Sequence, residues 1–289
     1  MEGENVGMAV WLASYPKSGN TWLRLLLEAY HRNGLLDIND LRTVGTGDGN
    51  AAFIRGVCPA PFDALSLGAQ LLLRPAALMN LLWCMRGPKQ LKTHFANIRP
   101  DGDAPHCIPK MLTSKAVYIV RDPRSVVMSA SRHFKFPIDA MVATMNHDEF
   151  TIGDGKLNCN TLVSTWSNHV RSWVGEKAFP VHVLKYEDMM VDAAKELTAV
   201  LEFLEEEVDH DRVKRAVEAT ELSRLRKAEE IDGFTEKSTK AGAFFTEGGS
   251  RWQDELGPKW IKQLEEDHGD VMRSMGYLDA EVVDLRAVE

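Results

Sequence analysis

The segment "MAVWLASYPKSGNTWLRLLLEAY", residues 8–30, constrains the fold more than any other part of the chain. An apolar run leads into a short turn holding Pro16, Lys17, Ser18 and Gly19, and apolar residues at helical spacing follow. That order predicts a strand, a tight loop and a helix. Such a junction leaves unpaired backbone N–H groups at the helix start, where the helix dipole also favours negative charge. Lys17 and the hydroxyls of Ser18 and Thr21 add charge and donors to an anion site of this kind. Alone, "PKSG" fits an ordinary turn with a solvated lysine equally well. The triphosphate pattern G-x-x-x-x-G-K-[ST] is absent, because the lysine precedes the glycine, so the Mg²⁺-binding hydroxyl that normally follows the lysine has no counterpart.

Downstream, near-continuous apolar runs alternate with helical stretches, as strands covered on both faces require. Strands are expected at 8–14, 90–93, 116–120 and 181–186. Helices are expected at 21–32, 123–134, 161–174, 193–205, 211–219 and 258–275. The alternation predicts an α/β fold: one three-layer domain over residues 1–289, with a mainly parallel sheet flanked by helices. Residues 35–91 form an expected insertion between early strands, and 233–250 a long loop able to close over a ligand.

Charge narrows the ligand. A net charge of −8 argues against general binding to nucleic acid or an anionic membrane, so an anionic ligand must be drawn by a local basic site. The four cysteines, Cys58, Cys84, Cys107 and Cys159, are widely spaced and form no C-x-x-C pair, which fits reduced thiols in a cytoplasmic protein. No His/Cys/carboxylate set has metal-ligand clustering. The opening "MEGENVGM" is acidic and lacks the regions of a secretory signal. The longest apolar stretch, 64–85, is broken at its centre by Arg74 and Pro75, where a bilayer tolerates charge least. It is expected to be a buried or groove-lining helical pair, not a stable membrane span.

A second strand–helix junction adds more. "AVYIVRDPRSVVMSASRH" puts Arg121 at a strand end, Asp122 at the helix cap and Pro123 at the first helical position. Ser125 and Ser129 share a helix face, and the Arg121 guanidinium offers a fixed fork of donors suited to a phosphate. A salt-bridged cap explains Asp122 and Arg124, but not a second anion site beside the first.

Together these stretches resemble a known family. "YPKSGNTW" resembles the 5′-phosphosulfate loop of the soluble sulfotransferases, and "YIVRDPRSVVMS" resembles their 3′-phosphate motif. "LKTH", between them, is similar to the strand end that carries the family's catalytic base, and "VHVLKYEDM" to its Tyr-Glu-Asp strand and helix. The motifs stand in the family's order, and the resemblance runs from Val10 to about Trp252. The wording "WLASYPKSGNTWLR" looks most similar to bacterial small-molecule members, including those that modify glycopeptide antibiotics.

The resemblance implies a P-loop-like sulfotransferase fold. It also implies transfer of a sulfuryl group from 3′-phosphoadenosine 5′-phosphosulfate (PAPS), without metal, to a hydroxyl of a small-molecule or natural-product acceptor. Lys17 would serve the 5′-phosphosulfate near its bridging oxygen, with Ser18, Gly19, Asn20 and Thr21 on the same phosphate and Trp22 on adenine. Arg121 and Ser129 would hold the 3′-phosphate, Tyr186 would contact that end, and Thr220 would sit on the adenine side. His94 would be the general base, and Lys92 a second cation near the sulfuryl group.

One departure stands out. Where the family commonly closes the 3′-phosphate site with Arg-Lys-Gly, this chain has Thr246 and Glu247. Gly248, Gly249 and Ser250 can supply a backbone nest there, and Arg251 or Lys240 the missing charge. The family's short dimerisation motif is not evident, which leaves the oligomeric state open. Aromatic residues in 51–83, 134–150 and 233–245, including Phe53, Trp83, Phe136, Phe234 and Phe244, suggest a partly apolar or aromatic acceptor. An ATP-dependent kinase of related fold and a non-catalytic nucleotide-binding protein are the competing functions. His133 is the next candidate base.

Overall fold

The apolar run at the start of the chain becomes β1 (Ala9–Ser14), whose Trp11, Leu12 and Ala13 are all inaccessible to solvent. A strand buried on both faces needs no polar alternation, which is why its sequence is continuously apolar. The structure is a computed structural model. It describes residues 8–279 other than 42–43, 45, 59–63, 86–88, 100–104, 154–157, 238–241 and 246–251. After β1 come α1 (Asn20–His31), β2 (Thr46–Gly47), α2 (Ala51–Arg55), α3 (Leu67–Cys84), β3 (Gln90–Thr93) and β4 (Thr113–Val120). Then follow α4 (Pro123–Phe134), α5 (Ile138–Met145), β5 (Thr151–Ile152), β6 (Thr161–Leu162), α6 (Trp166–Val174) and β7 (Val181–Lys185). The chain continues through α7 (Tyr186–Val191), α8 (Ala193–Leu204), α9 (His210–Ala219), α10 (Leu222–Asp232), α11 (Trp252–Glu255) and α12 (Pro258–Ser274).

Five strands form a parallel sheet in the order β2-β3-β1-β4-β7. Alternate residues of each strand supply opposite faces. Trp11 and Ala13 pack with Leu91, Ala116 and Tyr118 in one cluster, which also takes Leu78 of α3, Val126 of α4, Trp173 of α6 and Leu264 of α12. Leu12, Val117, Ile119 and Leu184 pack on the other face with Leu27 of α1, Leu197 of α8 and Val213 of α9. Helices on both sides of one parallel sheet make the α/β three-layer arrangement that the alternation implied.

Two local expectations change. Residues 161–174 are not one helix: Thr161–Leu162 pair with β5, and α6 begins at Trp166, where the Thr165 hydroxyl accepts the Asn168 N–H at 3.0 Å. The apolar stretch around Pro75 is one helix, α3, instead of a pair. By length and composition α3 is long and apolar enough to cross a bilayer. Its Arg74 nevertheless forms a buried ion pair with Asp48, and Leu71, Leu78, Leu81 and Leu82 join the sheet's core. The described part of 233–250, expected as a long loop, has neither helix nor strand beyond the end of α10 and is anchored. Phe234, Phe244 and Phe245 pack with ring centroids 4.7, 5.0 and 5.1 Å apart, and Glu229 accepts the N–H groups of Phe244 and Phe245.

Candidate active site

Parallel register brings the strand ends level: Ala13 lies beside Thr93, Ser14 beside Ile119 and Val120 beside Lys185. The segments leaving those ends therefore converge on the carboxyl edge, where open α/β sheets bind ligands.

Gly19 begins α1 with a φ of 103°, a left-handed conformation that glycine adopts at no steric cost. A β-carbon there would also stand 2.5 Å from the Tyr186 ring, so the residue is required twice over. Among the described residues no side chain caps this helix start, where a helix leaves its first N–H groups without intrahelical partners. Lys17 is held at a φ of 71°, with its ammonium 4.5 Å from the centroid of Phe244. Burial, then the charges of Arg121 and Lys92, push its pKa down to about 8. Arg121 stacks 4.2 Å from the Tyr186 ring centroid and donates from Nη1 to the Lys17 carbonyl at 3.1 Å. Thus the second junction grips the first. Two buried polar atoms in this region, Ser18 Oγ and Arg121 Nε, have no hydrogen-bond partner among the described residues. Atoms of that kind cost stability unless something pairs with them.

A cavity of about 630 Å³ is lined by Lys17, Gly19, Asn20, Thr21, Trp22, Arg121, Ser129, Tyr186 and Thr220, together with Lys92 and His94. Ser18 lies in the same loop beneath the surface. Some side chains in this set have structural duties. Asn20 donates to the Leu12 carbonyl at 2.8 Å and accepts from Arg24, and the Thr220 hydroxyl donates to the Ala216 carbonyl at 2.9 Å. Gly248, Gly249 and Arg251 lie outside the described residues, as do Lys240, Thr246, Glu247 and Ser250.

Sequence reasoning missed Glu236. Its carboxylate accepts from Arg24 at 2.6 and 2.7 Å, from Lys92 at 3.3 Å and from the Thr21 hydroxyl at 3.3 Å. Burial works to raise its pKa, but the Lys92 and Arg24 charges outweigh that and hold it down at about 2. Nothing in the aperiodic stretch around Glu236 signals this role, because its partners lie on α1 and β3.

His94 follows β3, and its Nδ1 lies 2.8 Å from the Ser14 carbonyl oxygen. A carbonyl can only accept, so Nδ1 carries the hydrogen and Nε2 keeps the lone pair. Burial, then Lys92, push the imidazole down to about 3 and keep it neutral. A second cavity, about 400 Å³, is lined by Gly47, Asp48, Asn50, Phe53, Thr93, Asn158 and Thr161, and shares Lys92, His94 and Ile152 with the first. His133 lines only the larger cavity, with its pKa pushed down to about 4 by burial and then by Lys17. Of the aromatic residues expected around an acceptor, Phe53 lines the smaller cavity and Phe244 the larger, while Trp83 and Phe136 are exposed. Among the described residues no group of His, Cys, Asp and Glu could hold a metal ion.

The same fold occurs in a mouse sulfotransferase, SULT7A1, complexed with PAP (TM-score 0.60, 19% identity, covering 94% of this chain and 86% of that one). It occurs too in retinol dehydratase in complex with androsterone and inactive cofactor PAP (TM-score 0.59, 18% identity, 92% and 80% covered). Curated relatives include sulfotransferase 1A1 of Mus musculus, 24% identical over 226 residues, which are 75% of this chain and 66% of that protein. Sulfotransferase 2A1 of Rattus norvegicus is 24% identical over 206 residues, 70% of this chain and 61% of that protein. The chain thus spans less than two thirds of the length of these relatives. The model of the sulfotransferase domain family matches residues 8–276, nearly the whole chain. With its two strand–helix junctions locked together at one sheet edge, this chain belongs to the sulfotransferase family.

Proposed function

We propose that this chain, acting as one domain, transfers a sulfuryl group from PAPS to a hydroxyl of a small-molecule acceptor. The observation that carries this reading is the meeting of two cavities at Lys92 and His94, one of them lined by both nucleotide-type loops. Ser18 Oγ and Arg121 Nε, without partners among the described residues, suit an anionic nucleotide. In the reaction the acceptor oxygen bonds to sulfur as the sulfur–oxygen bond to the 5′-phosphate breaks, and the acceptor's proton passes to His94 Nε2. The products are a sulfate ester and adenosine 3′,5′-bisphosphate. Such a transfer asks the protein for alignment and for cations at the oxygens that gain charge. Lys17 meets the leaving bridging oxygen and Lys92 the sulfuryl oxygens. The helix start at Ser18, Gly19, Asn20 and Thr21 holds the 5′-phosphate, while Trp22 and Thr220 flank adenine. Arg121, Ser129 and Tyr186 take the 3′-phosphate end. The acceptor is partly apolar, against Phe53 and Ile152. Four free cysteines fit a cytoplasmic setting, and the wording around Lys17 fits a bacterial one.

Adenosine 3′,5′-bisphosphate at a hundred times its dissociation constant stabilises the fold by about 2.7 kcal/mol, read as a rise in Tm. ATP at the same concentration gives a much smaller rise, because it lacks the 3′-phosphate. An equal or larger rise with ATP would favour the kinase reading and overturn this one.

Lys17 also sets a pH limit. Its pKa of about 8 means that the ammonium is lost as pH rises through that value, so kcat/KM for the donor falls above pH 8. Lys17→Arg, which stays charged, moves that limb upward. A profile flat to pH 10 in the parent enzyme would remove Lys17 from the role.

A further inference from the structure

We infer that the smaller cavity selects compact acceptors bearing a second hydrogen-bond donor, recognised by the Asp48 carboxylate. The inference rests on the sulfuryl-transfer reading and narrows its substrate class. The cavity walls contributed by Gly47, Asp48, Asn50, Phe53 and Thr161 do not line the nucleotide-loop cavity, so they face the acceptor side alone. At about 400 Å³ the space lies toward the small end of ligand sites.

Its chemistry is mixed. Phe53 and Ile152 form an apolar side, and Asp48, Asn50, Asn158 and Thr161 form a polar one. The Asp48 side chain is 4% exposed and is held by the equally buried side chain of Arg74, whose guanidinium stands 3.7 Å from the Phe95 ring centroid and donates to the Cys107 carbonyl. The ion pair cancels the net charge and fixes the carboxylate in place. What remains at the cavity wall is a strong, rigid acceptor that favours a neutral O–H or N–H over a bare methyl. A site built around such a group discriminates sharply, because an analogue without the donor leaves a desolvated carboxylate oxygen unpaired. The backbone makes room for this: a β-carbon at Gly47 would meet nothing within 4 Å.

The test uses the full chain, PAPS and a panel of phenols in matched pairs, such as 4-(2-hydroxyethyl)phenol against 4-propylphenol. Phenolic sulfate is the product measured. The hydroxylated member of each active pair is expected to have a kcat/KM at least tenfold higher. Asp48→Asn lowers that ratio severalfold or more. Since this change leaves Arg74 without its counter-charge, its Tm is recorded beside Gly47→Val, which narrows the cavity and raises KM for both members with unchanged affinity for adenosine 3′,5′-bisphosphate. Equal or reversed preference within the pairs overturns the inference, as does Gly47→Val with unaltered KM values. If adenosine 3′,5′-bisphosphate binds and some phenol is sulfated while the preference is absent, the inference falls and the sulfotransferase reading stands. Failure of the nucleotide to bind, with no phenol sulfated, overturns both.

Discussion

His94→Ala lowers sulfuryl transfer to an aliphatic alcohol by roughly 10²–10⁴ at saturating donor, the usual size of a general-base contribution. Affinity for adenosine 3′,5′-bisphosphate stays near that of the parent, because the removed group acts on the acceptor's proton. The loss is smaller for acidic phenols, which are already partly ionised. The structure adds a pH signature to this expectation. With the Ser14 carbonyl fixing the tautomer and burial keeping the ring neutral down to about pH 3, His94 stays competent as a base throughout the mildly acidic range. The kcat/KM profile of the parent enzyme therefore shows no acid limb near the ordinary histidine value of about 6.5. Bound donor brings negative charge toward Lys92, offsets the field that depresses the imidazole and moves its pKa upward in the complex. Full transfer to an unactivated alcohol by His94→Ala would end the assignment and turn attention to His133, which lines the larger cavity only.

Arg121→Ala weakens adenosine 3′,5′-bisphosphate binding by about 2–4 kcal/mol, the range for losing a buried charge-assisted partner. Adenosine 5′-phosphate, which lacks a 3′-phosphate, is expected to lose far less. The geometry also supplies a control. Arg121 donates to the Lys17 carbonyl and stacks on Tyr186, so alanine also loosens the loop that meets the 5′-phosphate. That indirect effect falls on both nucleotides alike, whereas the 3′-phosphate contact falls on one. Calorimetric titration of the two ligands separates them. Equal losses would show that Arg121 supports the loop and does not recognise the 3′ group.

Much of this site was legible before any coordinates, and the legible parts share one property: they are local. The apolar run of β1, the turn at Lys17 and the helical spacing after it are neighbours in the chain, and so are Arg121, Asp122 and Pro123 at the second junction. Periodicity and helix-start chemistry act over a few residues and leave their mark in the order of the letters. Helix α10 escaped the same approach because it is largely exposed, with Leu225 and Glu229 its buried residues, so no apolar stripe marks it. Residues 161–174 misled because the threonine that caps α6 sits inside an otherwise helical-looking stretch.

By itself, then, the sequence determined the α/β class, the two strand–helix junctions, and a histidine and lysine at a third strand end. Tertiary structure alone decided how those pieces are completed. Glu236 reaches Arg24 across 212 positions, the Ser14 carbonyl meets His94 across 80, and Arg74 of α3 fixes Asp48 across 26. Each contact depends on strand order and register in a parallel sheet, which bring distant side chains to one edge. No pattern of neighbouring residues encodes that meeting, because the forces that create it act only once the sheet has closed the distance.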